Sequence, residues 1–283
     1  MSRKHHSHLN EIEQAIASHF GWKITDEWRE KLALEVKRKA EKLQVDEAEY
    51  CLKAAHTTAE LEVLADLLSH NETRFFRERE QIHTLSQQVI PQLIAARAPE
   101  KILNVWSAAC STGEEAYTIA MLICEAIPAN EKWQVHILAT DLRGKAILTA
   151  MRGAYPASAL VLIDPLLRER YFSTAAGNGQ GSLLGYEQSF DVVRELKEWV
   201  TFRRANLYDQ NFWRSLRQQF DLIVCNNLLM HFHPIGVHQT VERLAKSLNR
   251  GGVLTVIKGE GMFIDHSSLK RDQAFPGNFF VKK

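Results

Sequence analysis

The chain has 283 residues, of which 45% are hydrophobic and 24% are charged, and its formal net charge at pH 7 is +1. This length allows one large domain or two ordinary domains. The small net charge argues against general electrostatic attraction to nucleic acid, and no apolar run approaches the length of a membrane-spanning helix. The four cysteines lack C-x-x-C spacing, which favours reduced thiols in a cytoplasmic protein and argues against a structural zinc site. His5, His6 and His8 could bind a metal ion, but a polar tail is the simpler interpretation, and we expect no metal site.

The first quarter of the chain predicts a small helical domain, because residues 9 to about 70 contain no convincing strand. One helix is predicted from Asp26 to Leu43, and its apolar positions recur at the helical period: Trp28, Leu32, Val36, Ala40 and Leu43. A later stripe has the same period: Leu61, Leu64, Ala65 and Leu68. We place a helical N-terminal domain at residues 1–70 and a linker at 71–80.

The rest of the chain alternates apolar strands with helices. The predicted strands are Ile102–Trp106, Trp133–Thr140, Phe220–Cys225 and Gly251–Ile257, with a helix from about Pro234 to Leu248. Near-continuous apolar strands that alternate with helices indicate a parallel sheet covered on both faces. Residues 81–283 are therefore predicted to form an α/β domain with a doubly wound, Rossmann-like sheet.

Residues from about 171 to 202 break this alternation. The segment is rich in glycine and serine over Ala175–Leu184, and two short strands are then predicted at Gly185–Arg194 and Glu198–Phe202. We expect a small antiparallel β insertion in the α/β domain.

The segment Trp106-Ser-Ala-Ala-Cys-Ser-Thr-Gly-Glu-Glu-Ala-Tyr117 predicts a strand end, a tight loop and a helix start. Ser111 and Thr112 are residue types that cap helices, and Glu114 and Glu115 would lie in the first turn, where the helix dipole favours negative charge. The single glycine disfavours a dinucleotide fingerprint, and a P-loop signature is absent from the sequence of this loop. A ligand with an adenosine and no phosphates, such as S-adenosylmethionine (SAM), suits this loop better.

Asp141 ends the second strand of the α/β unit. A carboxylate in that position can accept hydrogen bonds from both hydroxyls of a ribose. Position alone leaves a second interpretation open, in which Asp141 caps a helix from Leu142 to Met151.

Six segments, in this order, carry a resemblance to a known family: Asn71-Glu-Thr-Arg-Phe-Phe-Arg-Glu78, Trp106 to Tyr117, Ala139-Thr-Asp141, Arg152-Gly-Ala-Tyr155, Asn206-Leu207 and Cys225-Asn-Asn-Leu-Leu-Met-His-Phe232. Together they resemble the CheR family of chemotaxis receptor methyltransferases, over roughly residues 25 to 281. The resemblance implies a SAM-dependent protein-glutamate O-methyltransferase. It also implies a doubly wound fold with a helical N-terminal domain and a three-stranded β subdomain.

The resemblance further implies a set of SAM contacts: Asn71, Thr73 and Arg77 on the linker, Glu115 or alternatively Glu114 at the amino group, Asp141 at the ribose, Asn206 and Leu207 at the adenine, and Asn226 and Asn227 at the methyl-transfer end. Arg77, near the SAM carboxylate or the substrate, and His231 are the candidate catalytic residues. We assign no catalytic acid or base, because a glutamate is already ionised at pH 7. Simpler roles stay open: a helix cap for Asn71 or Thr73, a surface ion pair for Arg77 and a turn for Asn206.

Three features depart from the family pattern near the methyl-transfer end. Asn226 stands where the family usually has arginine, His231 stands where it usually has tyrosine, and Lys258-Gly-Glu-Gly261 replaces a Gly-His-Ser-Glu-like element. His231 could offer a polar edge or be an ordinary, partly buried histidine. These departures leave open a SAM-binding sensor or adaptor without turnover, or a methyltransferase with a different protein or small-molecule substrate.

Lys31, Arg38 and Lys42 lie on one face of the predicted 26–43 helix, together with Glu35. The resemblance implies that this face docks on the cytoplasmic domain of a methyl-accepting chemoreceptor or a similar acidic helical protein. The alternative is a solvated face with Glu–Lys pairs at i,i+4 spacing. We expect a cytoplasmic monomer, with neither a nucleic-acid partner nor membrane insertion, that releases S-adenosyl-L-homocysteine.

Overall fold

The computed structural model describes residues 9–69, 72–174 and 188–283. Within these ranges the helices are α1 (Asn10–Phe20), α2 (Asp26–Leu43), α3 (Glu47–Ala55), α4 (Thr58–Leu68), α5 (Arg79–Thr84), α6 (Ile90–Ala96), α7 (Glu114–Ala126), α8 (Gly144–Arg152), α9 (Pro165–Tyr171), α10 (Arg194–Trp199), α11 (Gln210–Ser215) and α12 (Pro234–Ser247). The strands are β1 (Ile102–Ala108), β2 (Gln134–Asp141), β3 (Ala154–Pro156), β4 (Phe172–Thr174), β5 (Ser189–Val192), β6 (Val200–Arg204), β7 (Phe220–Val224), β8 (Leu248–Thr255), β9 (Leu269–Arg271) and β10 (Phe279–Lys282).

The chain forms two compact units. The first comprises residues 1–71, 206–215 and 229–240, and the second comprises 72–205, 216–228 and 241–283. The predicted domains at 1–70, 71–80 and 81–283 are contiguous stretches of chain, and their bounds stay a prediction. The predicted site residue Asn71 and the three histidines near the N-terminus lie outside the described residues.

The first unit contains the predicted helix α2, which begins at Asp26 and ends at Leu43. The Thr25 hydroxyl caps it by accepting a hydrogen bond from the Trp28 backbone N–H at 3.2 Å. The predicted apolar face is buried except for Leu43, which is 55% exposed. The prediction for Leu43 was wrong because the helix ends there and the chain turns at Gln44, which has a left-handed backbone with φ 55°.

The second unit contains a sheet of seven described strands in the order β6-β2-β1-β7-β8-β10-β9. The first five are parallel, whereas β10 runs antiparallel to both β8 and β9. Every residue of β7 is buried, as expected of a strand covered on both faces. The predicted doubly wound α/β sheet is therefore confirmed.

The strand order places a switch point at β1. From β1 the chain continues to β2 on one side of the sheet, whereas the neighbour on the other side, β7, comes later and continues to β8. Ligands of open α/β sheets bind at the carboxyl ends of the strands where the order reverses. A ligand is therefore expected to bind beside the loop that follows Ala108.

The small antiparallel sheet has the described strand order β3-β5-β4. Its central strand, β5, lies within the predicted 185–194 strand, whereas the Gly/Ser-rich stretch at 175–184 is outside the described residues. The prediction that Glu198–Phe202 belongs to this insertion was wrong, because β6 pairs in parallel with β2 in the large sheet. The short helix α10, with Leu196 fully buried, returns the chain to the edge of the large sheet.

No helix in the described part of the chain is both long enough and apolar enough to cross a membrane.

A buried carboxylate ties together the beginnings of three strands. Asp221 on β7 is 1% exposed. It accepts hydrogen bonds from Arg97 Nε at 2.8 Å, from the Asn104 backbone N–H on β1 at 2.9 Å and from Asn249 Nδ2 on β8 at 2.8 Å. Removing one partner of a buried ion pair leaves an uncompensated charge, so this carboxylate is a strong determinant of stability.

We expect Asp221→Ala to lower the free energy of unfolding by about 3 kcal/mol, because it leaves a half-buried guanidinium and two amide donors without their acceptor. Urea denaturation followed by circular dichroism would measure the loss. Glu198→Ala, which removes an exposed ion pair with Arg194, is the control and should change stability by less than about 1 kcal/mol. Equal, small effects of the two variants would contradict this account.

Candidate functional site

The loop between β1 and α7 has an unusual backbone. Ala109, Ser111 and Gly113 all have positive φ, at 71°, 51° and 100°. Non-glycine residues in this region cost free energy and need support from their surroundings. Part of that support is the hydrogen bond from the Cys110 backbone N–H to the Thr140 carbonyl on β2, at 2.8 Å.

The start of α7 differs from the prediction. The N-cap is Gly113, and neither Ser111 nor Thr112 caps the helix. The Ser111 hydroxyl instead accepts a hydrogen bond from the Arg143 guanidinium at 2.6 Å, and the Thr112 hydroxyl donates to the Glu114 carboxylate at 2.7 Å. A side-chain cap needs an oxygen on the N-cap residue, and Gly113, which occupies that position with a left-handed backbone, has no side chain.

Asp141 lies at the end of β2, directly beside this loop. One carboxylate oxygen accepts the Ser111 backbone N–H at 2.9 Å, and the other accepts the Arg143 backbone N–H at 2.9 Å. The Arg143 guanidinium lies 3.5 Å from the same carboxylate. Helix α8 begins only at Gly144, so Asp141 fixes the two loops that flank it and is not an N-cap. A carboxylate offers roughly four acceptor positions, which leaves capacity for further donors.

Glu115 lies in the first turn of α7 and is half-buried. Its carboxylate accepts hydrogen bonds from Ser107 Oγ at 2.6 Å and from Asn226 Nδ2 at 2.9 Å. Burial raises the pKa of Glu115 to about 7, and the nearby charge of Glu260 adds to the rise. The two hydrogen bonds and the positive charge of Arg77 act in the opposite direction.

Glu114, the alternative to Glu115, has different surroundings. It is 5% exposed, and its carboxylate accepts hydrogen bonds from the hydroxyls of Thr112 and Thr73. Burial raises the pKa of Glu114 as well. The predicted site residue Thr73 thus contacts a neighbouring side chain of the same unit.

Some side chains of the linker at 71–80 pack within the second unit and so have a structural role. Phe75 is fully buried, with its ring edge-on to Tyr155 at 4.9 Å and to Phe172 at 5.3 Å. Phe76 has a left-handed backbone with φ 53°, and its N–H donates to Thr118 Oγ1 at 3.2 Å. Arg77 is exposed, and its guanidinium donates to the carbonyl of Glu72 at 2.5 Å.

Asn206 and Leu207 belong to the first unit. The Asn206 amide donates to the His19 carbonyl at 2.7 Å and accepts the Tyr208 backbone N–H at 3.0 Å. Leu207 is buried, and its carbonyl accepts a hydrogen bond from Trp213 Nε1 at 2.8 Å. Within this unit Asn206 therefore acts as a turn residue, which was the simpler of its two predicted roles.

His231 also belongs to the first unit. Its ring stacks on Trp28, with 5.3 Å between centroids, and burial lowers its pKa. Its carbonyl accepts a hydrogen bond from the Lys23 backbone N–H at 2.8 Å. These contacts give His231 a packing role, and a catalytic role stays a proposal.

The structure brings further residues to the carboxyl edge of the large sheet that sequence analysis missed. Glu260, which is fully buried, accepts the backbone N–H of Asn227 at 2.8 Å. Asn227 is left-handed with φ 56°. Gln81 on α5 contacts Asn226 through its side chain. The carboxylate of Glu260 so soon after an apolar strand was a usable signal, whereas nothing in the local sequence distinguishes Gln81 from a surface glutamine.

We expect Gly113→Ala to destabilise the protein by about 2 kcal/mol or more, because φ at this position is unfavourable for alanine. The added Cβ would also lie 2.8 Å from Ala150 Cβ and from Tyr155 Oη. The thermal unfolding midpoint measures the effect. Gly144→Ala is the matched control, because its Cβ would meet nothing closer than 3.7 Å and its backbone is helical. A midpoint for Gly113→Ala at or above that of the control would refute the account of this loop.

Comparison with known proteins identifies the family. The family described as "CheR methyltransferase, SAM binding domain" matches residues 71–274. A "Probable chemotaxis protein methyltransferase" of Rhizobium etli is 32% identical over 74% of this chain and 75% of its own length. "Chemotaxis protein methyltransferase 1" of Pseudomonas aeruginosa is 33% identical over 78% of this chain and 77% of its own. For "Chemotaxis protein methyltransferase 2" of Vibrio cholerae the values are 30%, 72% and 66%. The chain therefore belongs to the CheR family of SAM-dependent chemotaxis protein methyltransferases.

Proposed function

We propose that this protein methylates glutamate carboxylates in the cytoplasmic domain of a methyl-accepting chemoreceptor or a similar acidic helical protein. The products would be glutamate methyl esters and S-adenosyl-L-homocysteine. The observation that carries the proposal is the pair of carboxylates, Asp141 and Glu115, on the two sides of the strained loop at the strand-order switch. Membership of the CheR family supports the assignment.

Asp141 is assigned to the ribose. Its carboxylate is held by Ser111 and Arg143 at the end of β2, and nucleotide-binding α/β folds commonly use a carboxylate near such a strand end to bind a ribose, which supports the assignment. Glu115 is assigned to the amino group, because its two donors, Ser107 and Asn226, are neutral and leave it able to receive a cation. Glu114 is the weaker candidate, since threonine hydroxyls already surround its carboxylate.

The remaining assignments follow the family resemblance: Asn71, Thr73 and Arg77 from the linker, Asn206 and Leu207 at the adenine, Asn226 and Asn227 at the methyl-transfer end, and His231 in a catalytic role. Arg77 is the candidate to attract the acceptor carboxylate, since its guanidinium is exposed.

Methyl transfer to a carboxylate depends on the alignment of the two reactants more than on acid or base groups. When bound, SAM supplies a methyl group on a sulfonium sulfur, which a carboxylate oxygen takes while the electron pair of the broken carbon–sulfur bond stays on sulfur. No proton moves, so no residue of the chain needs to act as a general base. The chain has to hold both reactants in line and exclude water, and such alignment can lower a barrier by roughly 7–11 kcal/mol.

We propose further that the protein acts as a cytoplasmic monomer and that the exposed face of α2 docks on the receptor. Two of the three basic residues on that face have acidic partners on the same helix. Lys31 pairs with Glu27 at 2.7 Å, and Arg38 pairs with Glu35 at 2.5 Å. These pairs lower the net positive charge of the face, so docking there would depend on shape as well as on charge.

The direct test is calorimetric titration with SAM, followed by transfer of labelled methyl to receptor cytoplasmic fragments. We expect binding, and label on the receptor that base removes, as a carboxyl methyl ester requires. Asp141→Asn should weaken SAM binding by roughly 100-fold, because one acceptor oxygen is replaced by a donor and the other loses its negative charge. Asp164→Asn, at the exposed N-cap of α9, is the matched control and should bind as the wild type does.

Binding without transfer would indicate a sensor or a different substrate and reject the proposed reaction. Wild-type affinity in Asp141→Asn would reject the ribose assignment.

SAM binding should depend on pH through Glu115. Since its pKa in the protein is about 7, the carboxylate takes up a proton as the pH falls, and the ligand ammonium then meets a neutral group. Affinity should drop roughly 20-fold from pH 7.5 to about pH 5.5. It should also fall above about pH 8, where the ligand amino group loses its proton.

Two controls separate Glu115 from other titrating groups. Glu115→Gln should bind SAM weakly and lose the acid limb of the pH profile. 5′-Methylthioadenosine has no amino acid portion, so its affinity should not follow the ionisation of Glu115. An unchanged acid limb in Glu115→Gln would assign it to another residue.

A further inference from the structure

Gln81 makes three side-chain hydrogen bonds at the carboxyl edge of the sheet. Its Nε2 donates to Asn226 Oδ1 at 3.1 Å and to Thr255 Oγ1 on β8 at 2.8 Å. Its Oε1 accepts from Asn226 Nδ2 at 2.8 Å. The amides of Gln81 and Asn226 therefore pair face to face through two reciprocal bonds. Such a pair couples the orientations of the two amides, because each NH2 group must face the oxygen of the other.

The orientation of Asn226 matters because its remaining amide hydrogen faces Glu115. Asn226 Nδ2 donates to Glu115 Oε2 at 2.9 Å. If the amide turned over, its oxygen would face the carboxylate, and two acceptors would meet where a hydrogen bond now lies. Gln81 opposes rotation of Asn226 alone, because that rotation would break both reciprocal bonds.

The backbone beside Asn226 is fixed as well. Asn227 is left-handed and donates its N–H to the buried carboxylate of Glu260. Asn226 itself is 8% exposed. The side-chain amide therefore has little freedom to find other partners, and Gln81 and Glu115 together hold it in this orientation.

Two charged groups act most strongly on the pKa of Glu115 among the described residues. They are the carboxylate of Glu260, which raises it, and the guanidinium of Arg77, which lowers it. The nearby thiols, Cys110 and Cys225, are neutral because burial raises their pKa. The direct donors, Ser107 on β1 and Asn226 after β7, are neutral, so each of them matters to the carboxylate.

We propose that Gln81 is a positioning residue for cofactor binding. It holds the Asn226 amide so that a donor faces the Glu115 carboxylate, and through Asn226 it prepares that carboxylate to receive the SAM ammonium. This role rests on the proposed function of Glu115. It also links α5, which begins within the predicted linker at Arg79, to the proposed cofactor site.

The test is Gln81→Met, which keeps the length of the side chain and removes its donors and acceptor. Calorimetry at pH 7.5 should show SAM binding weakened by about tenfold. The acid limb of the SAM pH profile should move to higher pH, because an unsupported carboxylate binds its proton more tightly. Affinity for 5′-methylthioadenosine should stay within about twofold of the wild type, which also reports that the variant is folded. Gln87→Met is the matched control, since Gln87 is exposed and contacts only Ser86 among its described side-chain partners.

A double-mutant cycle tests whether Gln81 acts through Asn226. In an Asn226→Ala background, Gln81→Met should change SAM affinity by less than about twofold. The same tenfold loss in that background, or an unmoved acid limb in Gln81→Met, would overturn the proposal. Those results would leave the proposed function intact if wild-type SAM binding still follows the ionisation of Glu115. Failure of the wild type to bind SAM would instead reject the proposed function, and this role with it.

Discussion

The carboxylate of Asp141 holds the loop after β1 in a conformation that the loop would not adopt alone. Three of its residues have positive φ, and two of those, Ala109 and Ser111, are not glycine. Each such residue costs on the order of 1–3 kcal/mol, and hydrogen bonds to a charged acceptor can offset costs of that size. The bonds from Ser111 and Arg143 to Asp141 supply this stabilisation. One side chain therefore shapes the loop and is also the ribose acceptor that we propose.

Glu115 differs from Asp141 in how its negative charge is stabilised. Its carboxylate is partly removed from water and is stabilised by neutral donors, which leaves its pKa near 7 and its charge incompletely compensated. A buried carboxylate in direct contact with an arginine would be ionised at all relevant pH values, but it would also have less to gain from a ligand cation. Neutral donors such as Asn226 and Ser107 stabilise the carboxylate but do not neutralise its negative charge. The site is thereby suited to a cationic ligand.

The sequence predicted those features that depend on local pattern. The apolar runs of β1, β2, β7 and β8 and the amphipathic face of α2 follow from burial, which acts through periodicity. The cap at Ser111 or Thr112 failed because tertiary hydrogen bonds set a left-handed backbone at the helix start. The strand at 198–202 was assigned to the wrong sheet because pairing partners are chosen across the fold. Gln81 was missed because its partners, Asn226 and Thr255, lie more than a hundred residues away.

The departure at Asn226 bears on the electrostatics of the site more than on its chemistry. Methyl transfer to a carboxylate needs no proton transfer, so replacing the family's usual arginine by an amide removes no catalytic acid or base. It removes a positive charge from the end of β7, and the Gln81–Asn226 pair fills that position with fixed dipoles. In the site that we propose, the proton and the ligand ammonium compete for one carboxylate, Glu115. This competition would set the occupancy of the site near neutral pH, and the Gln81–Asn226 pair would adjust it through the hydrogen bond from Asn226 to Glu115.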